Sequence, residues 1–296
     1  TLSNSADFVK GLGNVALTVS TALIADETAS KMQYVCPGRH YLESWGDANH
    51  AHGKVAFMQP TIQPLFDSRQ MQDSFLTWSE SSSDYLTEMK SYWRSKTSWS
   101  KAIHDGVVAL SENKVTASSF KGNVTSITKE ATGLELSLYQ SIAIGDGSQA
   151  NNPWLQELPD PVTRSCWDNY LMVSATTARE LGLKNWNVSN GALNGDIVNL
   201  SVNGETINNV PVLIQPGQAS NTLGLALGYG RTNVGKGGNG IGVNAYPLAK
   251  DALYSFDDVQ VTKVEGEHEF ASVQLHHTMM GRDLIKETTL SDFIKD

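Results

Sequence analysis

The most regular hydrophobic pattern runs from Gly195 to Arg231, where three alternating segments are separated by turn-forming residues. Val198, Leu200 and Val202 alternate with Asn199, Ser201 and Asn203. A period of two puts the apolar row on one face of a strand and the polar row on the other. Asn203-Gly204 then supplies the positive φ angles that a two-residue hairpin turn requires. A second strand buries Val210, Val212 and Ile214, and Pro216-Gly217 fits the central pair of a type II turn. In a third, Leu223, Leu225 and Leu227 share one face, while Gly224, Ala226 and Gly228 leave the other nearly bare. A second backbone or a ligand must come close there. A small barrel or sandwich explains that face more simply than a ligand does.

Upstream, Val15, Leu17 and Val19 fall on one face of a strand within Asn14 to Ser20. Asp26 can cap a short helix in which Ala29 and Met32 share a face, and Tyr34-Val35-Cys36 reads as a buried strand stopped by Pro37. Strand, helix and strand at this spacing predict a βαβ unit in a parallel sheet. The following loop, Gly38 to Gly53, would open at the carboxyl end of that sheet, where ligands of doubly wound folds sit. It carries Arg39, His40, Glu43, Asp47, His50 and His52. Imidazoles and carboxylates ligate transition metals, yet the surrounding Asp, Asn, Ala and Gly residues favour a solvated loop. After an extended connection at Gln59 to Phe66, Asp67 and Gln70 form a capping box for a helix bearing Met71, Phe75, Leu76 and Trp78. A second helix, Asp84 to Arg94, aligns Leu86, Met89 and Trp93. A third, opened by Ser98, holds Ala102, Ile103 and Val107.

At Ser111 the texture changes to Ser, Thr, Asn and short β-like runs, which places a domain boundary between 1–110 and 111–296. Leu134, Leu136 and Leu138 alternate as a strand, and Ile142-Ala143-Ile144 forms another short run ending at Gly145. Asn152 to Pro161 is a proline-punctuated surface segment, extended or turned. Ser174 caps a helix with Ala178 and Leu181 apolar and Gly182 at C′. Strands return at Val259 to Val264 and Phe270 to Leu275. The tail runs through His276-His277 and Gly281 to a short amphipathic helix at Leu290, Phe293 and Ile294.

Charge narrows the functions available. With 31 acidic and 22 basic residues the formal charge is −9, which argues against a nucleic-acid surface, since phosphates want a positive field. Trp78, Tyr92, Trp93 and Trp99 are therefore read as a packing face with snorkelling lysines, not as a base-stacking groove. No apolar run approaches the ~20 residues of a membrane span. The chain also lacks an initiating Met and a signal sequence, so it reads as a piece of a longer protein. Cys36 and Cys166 could form one long-range disulfide or be two buried thiols, the reading favoured here, and neither sits in a C-x-x-C pair that could build an iron–sulfur or structural zinc site. Gly230, Gly235 and Lys236 fit the first fixed positions of a phosphate-binding loop, but Gly237 stands where Ser or Thr must hold magnesium. Gly11 to Ala16 matches a dinucleotide fingerprint by letters, yet it precedes its strand.

Two runs carry a family resemblance. Glu27, Thr28, Ala29, Pro37, Glu43 and Gly46 in Ala25 to Asp47 resemble a run of the molybdopterin oxidoreductase family. The order Leu181 to Leu183, Gly195-Asp196, hairpin, Pro216-Gly217 is similar to that family's C-terminal double-psi barrel. Within the family, HYLESWGDA, QPTIQPLFDSRQ, NPWLQELPDP, LGLALGYGR, VNAYPL and HHTMMGR resemble the large iron–sulfur, molybdopterin-like subunit of alternative complex III, a bacterial respiratory quinol oxidoreductase that passes electrons to a periplasmic acceptor.

The resemblance implies the C-terminal part of a Rossmann-like α/β domain with a helical extension over 1–110, then a double-psi-like β-barrel over 111–296. It implies a peripheral position on the periplasmic side of the inner membrane, among other subunits of a membrane complex, with no direct membrane span and no nucleic acid. The chain would be a cofactor-free portion ending just before a ferredoxin-like domain that carries the iron–sulfur clusters. No catalytic or metal-binding residue carries over. A vestigial pterin cleft would involve Arg39, His40, Glu43, Asp47, Arg231 and Lys236. The alternative is a fragment of a catalytic molybdopterin-dependent oxidoreductase in which that cleft works. The segment Lys184 to Asn194 is longer than the family's usual connection.

Overall fold

The computed structural model describes residues 5–110, 118–123, 133–188, 191–249, 253–273 and 286–295. The chain divides into two compact units, Ser5–Glu130 and Ala131–Asp296.

In the first unit, helix α1 (Ser5–Leu12) precedes strand β1 (Val19–Ser20), which pairs in parallel with β2 (Tyr34–Val35). Between them Asp26 Oδ1 accepts from the Thr28 and Ala29 amides at 3.0 and 2.8 Å and starts a 3₁₀ turn, Ala29–Lys31. The parallel strand pair was predicted, but not its setting. Val15 and Leu17 are 48% and 61% exposed and Tyr34 is 59% exposed, because a ladder of two residues per strand is too short to build a covered face. Cys36 is correspondingly exposed, not buried.

The Gly38 to Gly53 stretch is also not a simple solvated loop. It forms a 3₁₀ turn at Tyr41–Glu43 and then β3 (Gly46–Ala51), which pairs antiparallel with β4 (Lys54–Met58), and β4 pairs with β5 (Val107–Ala109). The sequence GDANHA has no apolar alternation, so nothing in its pattern announced a strand. Helix α2 (Met71–Trp78) begins after Gln70, not at Asp67. The buried Gln70 amide is drawn inward, accepting from the Trp45 N–H at 3.2 Å and donating to the Trp45 carbonyl at 2.8 Å. Helix α3 (Tyr85–Arg94) is capped by Asp84, which accepts from the Thr87 N–H at 2.7 Å. Helix α4 (Trp99–Asp105) ends at Gly106 with φ 73°, so Val107 belongs to β5 and not to the helix. The core of this unit is Val55, Phe57, Met89, Trp93 and Ala102. Trp93 meets Phe57 edge-on at 5.2 Å. Of the aromatic row read as a packing face, Trp93 and Trp99 pack inward, whereas Trp78 and Tyr92 remain exposed.

The second unit contains β6 (Glu135–Gln140), α5 (Pro153–Gln156), β7 (Ser165–Cys166), β8 (Leu171–Val173), α6 (Ala175–Glu180) and β9 (Asn185–Asn187). There follow β10 (Leu193–Val202), β11 (Glu205–Ile214), β12 (Thr222–Leu227), β13 (Ser255–Phe256), β14 (Gln260–Ser272) and α7 (Leu290–Phe293). One mixed sheet runs β13-β6-β12-β8-β11-β10-β14-β7, with β9 on β10. The β6/β12 and β8/β11 pairs are parallel. The alternation at β10 to β12 translates directly into structure. Val198, Leu200, Val210, Val212, Leu223 and Leu225 are each 0% exposed. Asn203 and Gly204 make the hairpin with φ 49° and 82°, and Gly217 turns with φ 86°.

The expected barrel does not close. The outermost strands β13 and β7 are two residues long, and no ladder joins them among the described residues. The sheet's apolar faces still converge on one core from β6, β8, β10, β11, β12 and Phe256. Ile142 to Ile144 is a turn, not a strand: Ile142 is 75% exposed and Ile144 2%. Asn152 to Pro161 contains the short helix α5, capped by Asn152, with Pro153 in its first turn. Ser174 and Gly182 cap α6 as predicted, Ser174 Oγ accepting from the Thr177 N–H at 3.1 Å and Gly182 having φ 69°. The two tail strands are one 13-residue strand, β14, whose partner register shifts between Asp196 and Ile197. Part of Phe270 to Leu275 and all of His276-His277 and Gly281 lie outside the described residues. The apolar residues of α7 are exposed.

Candidate functional site

Because β6 and β12 are parallel, with Tyr139 opposite Ala226, their carboxyl ends open at the same end of the sheet. Their leucines face the main core, and Tyr139 and Ala226 face a smaller cluster with Ile144, Ala150, Tyr229 and Val234. A small pocket of ≈ 20 Å³, about the room one water needs, lies there, lined by Tyr139, Tyr170, Tyr229, Asp160 and Asp168 together with Ile142 and Leu158. Asn169, 1% exposed, holds the floor in place. Its Nδ2 donates to the Ala226 and Val243 carbonyls at 2.7 and 2.9 Å, and its Oδ1 accepts from the Val243 N–H at 2.8 Å.

The wall opposite is the loop after α5. Asp160 Oδ1 accepts from the Val162 and Thr163 amides at 2.9 and 2.8 Å and from the Thr163 hydroxyl at 3.1 Å. The Thr163 hydroxyl in turn is hydrogen-bonded to the Tyr170 hydroxyl. Arg164 and Trp167 adopt φ 62° and 66°, a region that non-glycine residues rarely enter. Asp168 lies 3.0 Å from His268 Nε2. Burial raises the pKa of Tyr139, Tyr170 and Tyr229 above the usual phenol range, and the negative charge of Asp160 adds to that shift in each. The pocket therefore sets un-ionised phenols beside carboxylates, and negative charge without a paired cation at Asp160 among the described residues suits a cationic group. Sequence reading missed it because its residues are scattered from 139 to 229. The one available signal was the leucine alternation, which shows that Tyr139 and Ala226 face away from the core.

Of the residues proposed from sequence, Arg39, His40, Glu43 and Asp47 lie in the first unit. Arg39 Nε donates to the Ser68 carbonyl at 3.2 Å. Glu43 accepts from the His40 N–H at 3.0 Å and the Leu65 N–H at 2.9 Å, while His40 Nδ1 accepts from the Leu42 N–H at 3.3 Å. Those two backbone bonds, Leu65 first, hold the Glu43 carboxyl below the usual glutamate range. Asp47 accepts from the Trp93 indole N–H and from the Tyr85 hydroxyl at 3.5 Å. His50 and His52 are exposed. No group of three His, Cys, Asp or Glu side chains suited to a metal occurs among the described residues. Arg231 and Lys236 belong to the second unit, where Arg231 Nη1 donates to the Gly147 carbonyl at 2.7 Å and Lys236 is exposed.

The glycine-rich stretch past β12 does not fit a phosphate-bearing pterin. A phosphate cradle needs backbone N–H groups pointing outward. Here the Val234 and Gly235 amides donate to Asn239 Oδ1 at 2.7 and 3.1 Å, and the Gly237 amide donates to Asn151 Oδ1 at 3.0 Å. The amides of Gly230, Gly238, Asn239 and Gly240 donate to the Ile241, Gly235 and Arg231 carbonyls. The bare face of β12 and of Gly228 just past it is filled only in part from within. A Cβ on Gly228 would stand 2.7 Å from the Gly147 nitrogen and 2.8 Å from the Gly145 oxygen, and one on Gly224 would meet the Met172 side chain at 2.8 Å. A second backbone makes the close approach at Gly228, while Ala226 of the same face lines the pocket.

No protein-family model matches the chain, and no curated protein matches it. Among solved structures it is similar to acetylene hydratase from Pelobacter acetylenicus, with a TM-score of 0.60 and 13% identity, over 88% of this chain and 42% of that one. The chain thus spans less than half the length of that structure. At this identity the shared feature is the fold alone.

Proposed function

We propose that this chain is the cofactor-free, structural part of the large iron–sulfur subunit of alternative complex III, where it positions partner domains during electron transfer from quinol to a periplasmic acceptor. The fold likeness to acetylene hydratase supports descent from a molybdopterin enzyme, and the sequence segments quoted above supply the finer assignment. The observation that carries the cofactor-free reading is the internal use of the glycine-rich amides, which leaves a pterin phosphate no cradle there. On this reading the clusters sit in a ferredoxin-like part of the full subunit. On the same reading neighbouring subunits hold the protein at the periplasmic side of the membrane; no helix among the described residues is long and apolar enough to cross one.

The rival reading, a fragment of a catalytic molybdopterin-dependent oxidoreductase, draws its support from the same likeness to an enzyme. Metal and pterin analysis of the full-length subunit beside this chain separates the two. We expect iron in the full subunit and neither molybdenum, tungsten nor pterin in either sample. Pterin recovered from the full-length protein would overturn the proposal.

A further inference from the structure

We propose that the tyrosine and carboxylate pocket of the second unit docks a lysine- or arginine-bearing segment of a neighbouring polypeptide, with apolar residues beside that cation covering Ile142 and Leu158. The inference rests on the reading of this chain as an interaction module and names the chemistry of the partner.

Charge is the first argument. Asp160 is hydrogen-bonded only through Oδ1 and only to neutral groups, the Val162 and Thr163 amides and the Thr163 hydroxyl. No cation of the described residues pairs with it, and Arg164 on the same loop is exposed and forms no ion pair with it. It lines the pocket with the three phenols. Asp168 lines the same pocket, 3.0 Å from His268 Nε2. A carboxylate bonded only to neutral groups is a ready partner for an ammonium or guanidinium, through ion pairing and charge-assisted hydrogen bonds.

Apolar exposure is the second argument, and it selects a polypeptide over a free cation. Ile142 is 75% and Leu158 43% exposed although both line the pocket, and Trp154 on α5 and Val162 on the loop after it are 84% and 65% exposed. Large apolar side chains gathered around a charged pocket match a protein interface, in which a few anchors are ringed by water-excluding contacts. A small amine would leave them bare. An anionic lipid surface or a nucleic acid would be repelled by the carboxylates and by the net charge of −9.

The test places a benzophenone amino acid at Ile142 of the full-length subunit, cross-links it by light in its own cells, and maps the joined peptide by mass spectrometry. We expect one segment of a different polypeptide, with Lys or Arg within about four residues of the cross-link, the span of one helical turn. Asp160→Asn keeps an oxygen for the loop amides and removes the charge, and it should lower the cross-link yield about tenfold. Should that variant fail to fold, the yield of the unsubstituted assembly, read against rising salt, carries the same comparison. Four results overturn the docking proposal: no cross-link, cross-links confined to the same chain or a second copy, a segment without Lys or Arg, or a yield indifferent to both Asp160→Asn and salt. A basic segment from a protein outside any respiratory complex would instead leave the docking intact and defeat the alternative complex III assignment.

Discussion

Gly228 shows how narrowly single positions are constrained. Its φ of 93° and the Gly145 to Gly147 backbone beyond it leave no room for a side chain. Gly228→Ala should therefore destabilise the chain by about 2 kcal/mol or more, read as a lowered urea midpoint at unchanged slope. Asn169→Ala deletes three hydrogen bonds at a residue 1% exposed and strands the Ala226 and Val243 backbone groups. We expect a loss of about 2–4 kcal/mol in the same experiment. Glu43 offers a test by pH. Its folded-state pKa is depressed by the Leu65 and His40 amides, so its contribution is complete above the unfolded value of about 4.3. That contribution is lost as pH falls through the lower folded value. Glu43→Gln should flatten the acid limb of the stability profile and leave the profile above pH ~6 parallel to that of the parent chain.

At the scale of elements, the parallel β6/β12 pair and the loop after α5 together bury three phenols at one end of the sheet. Their folded pKa values are raised, so the associated stability is complete below the unfolded phenol value of about 10 and lost as pH rises beyond it. Ultraviolet titration should show Tyr139, Tyr170 and Tyr229 ionising at higher pH than a free phenol. Ionisation of all three at the free-phenol value of about 10 would contradict the described burial. Elements whose hydrophobic period was clear, such as β10 to β12, α3 and α6, were legible from sequence. Strand β3 was not, since Gly46 to Ala51 is polar and becomes a strand only through its ladder to β4. Helix α2 starts three residues late because Gln70 bonds the Trp45 backbone in place of the helix end, a long-range choice that no local capping rule contains.

For the molecule as a whole, the charge of −9 and the unpaired Asp160 pocket make association with a basic partner salt-sensitive. Co-elution of the full-length subunit with its partner should weaken several-fold between about 50 and 300 mM salt if docking is electrostatic. Apolar docking alone would strengthen or hold steady over that range.

Local pattern alone determined the strand faces of β10 to β12, the Asn203-Gly204 hairpin and the caps of α6, because each depends on residues within a few positions of one another. The same pattern showed that something must approach the glycines of β12, without showing what. Only the tertiary structure decided that the Gly145 to Gly147 backbone packs on Gly228, that Glu43, Asp47 and Arg231 bond within their own units, and that the barrel stays open. It alone brought Tyr139, Asp160, Tyr170 and Tyr229 together. These outcomes depend on pairings between residues tens of positions apart, and strand register and loop closure fix such pairings while sequence spacing does not.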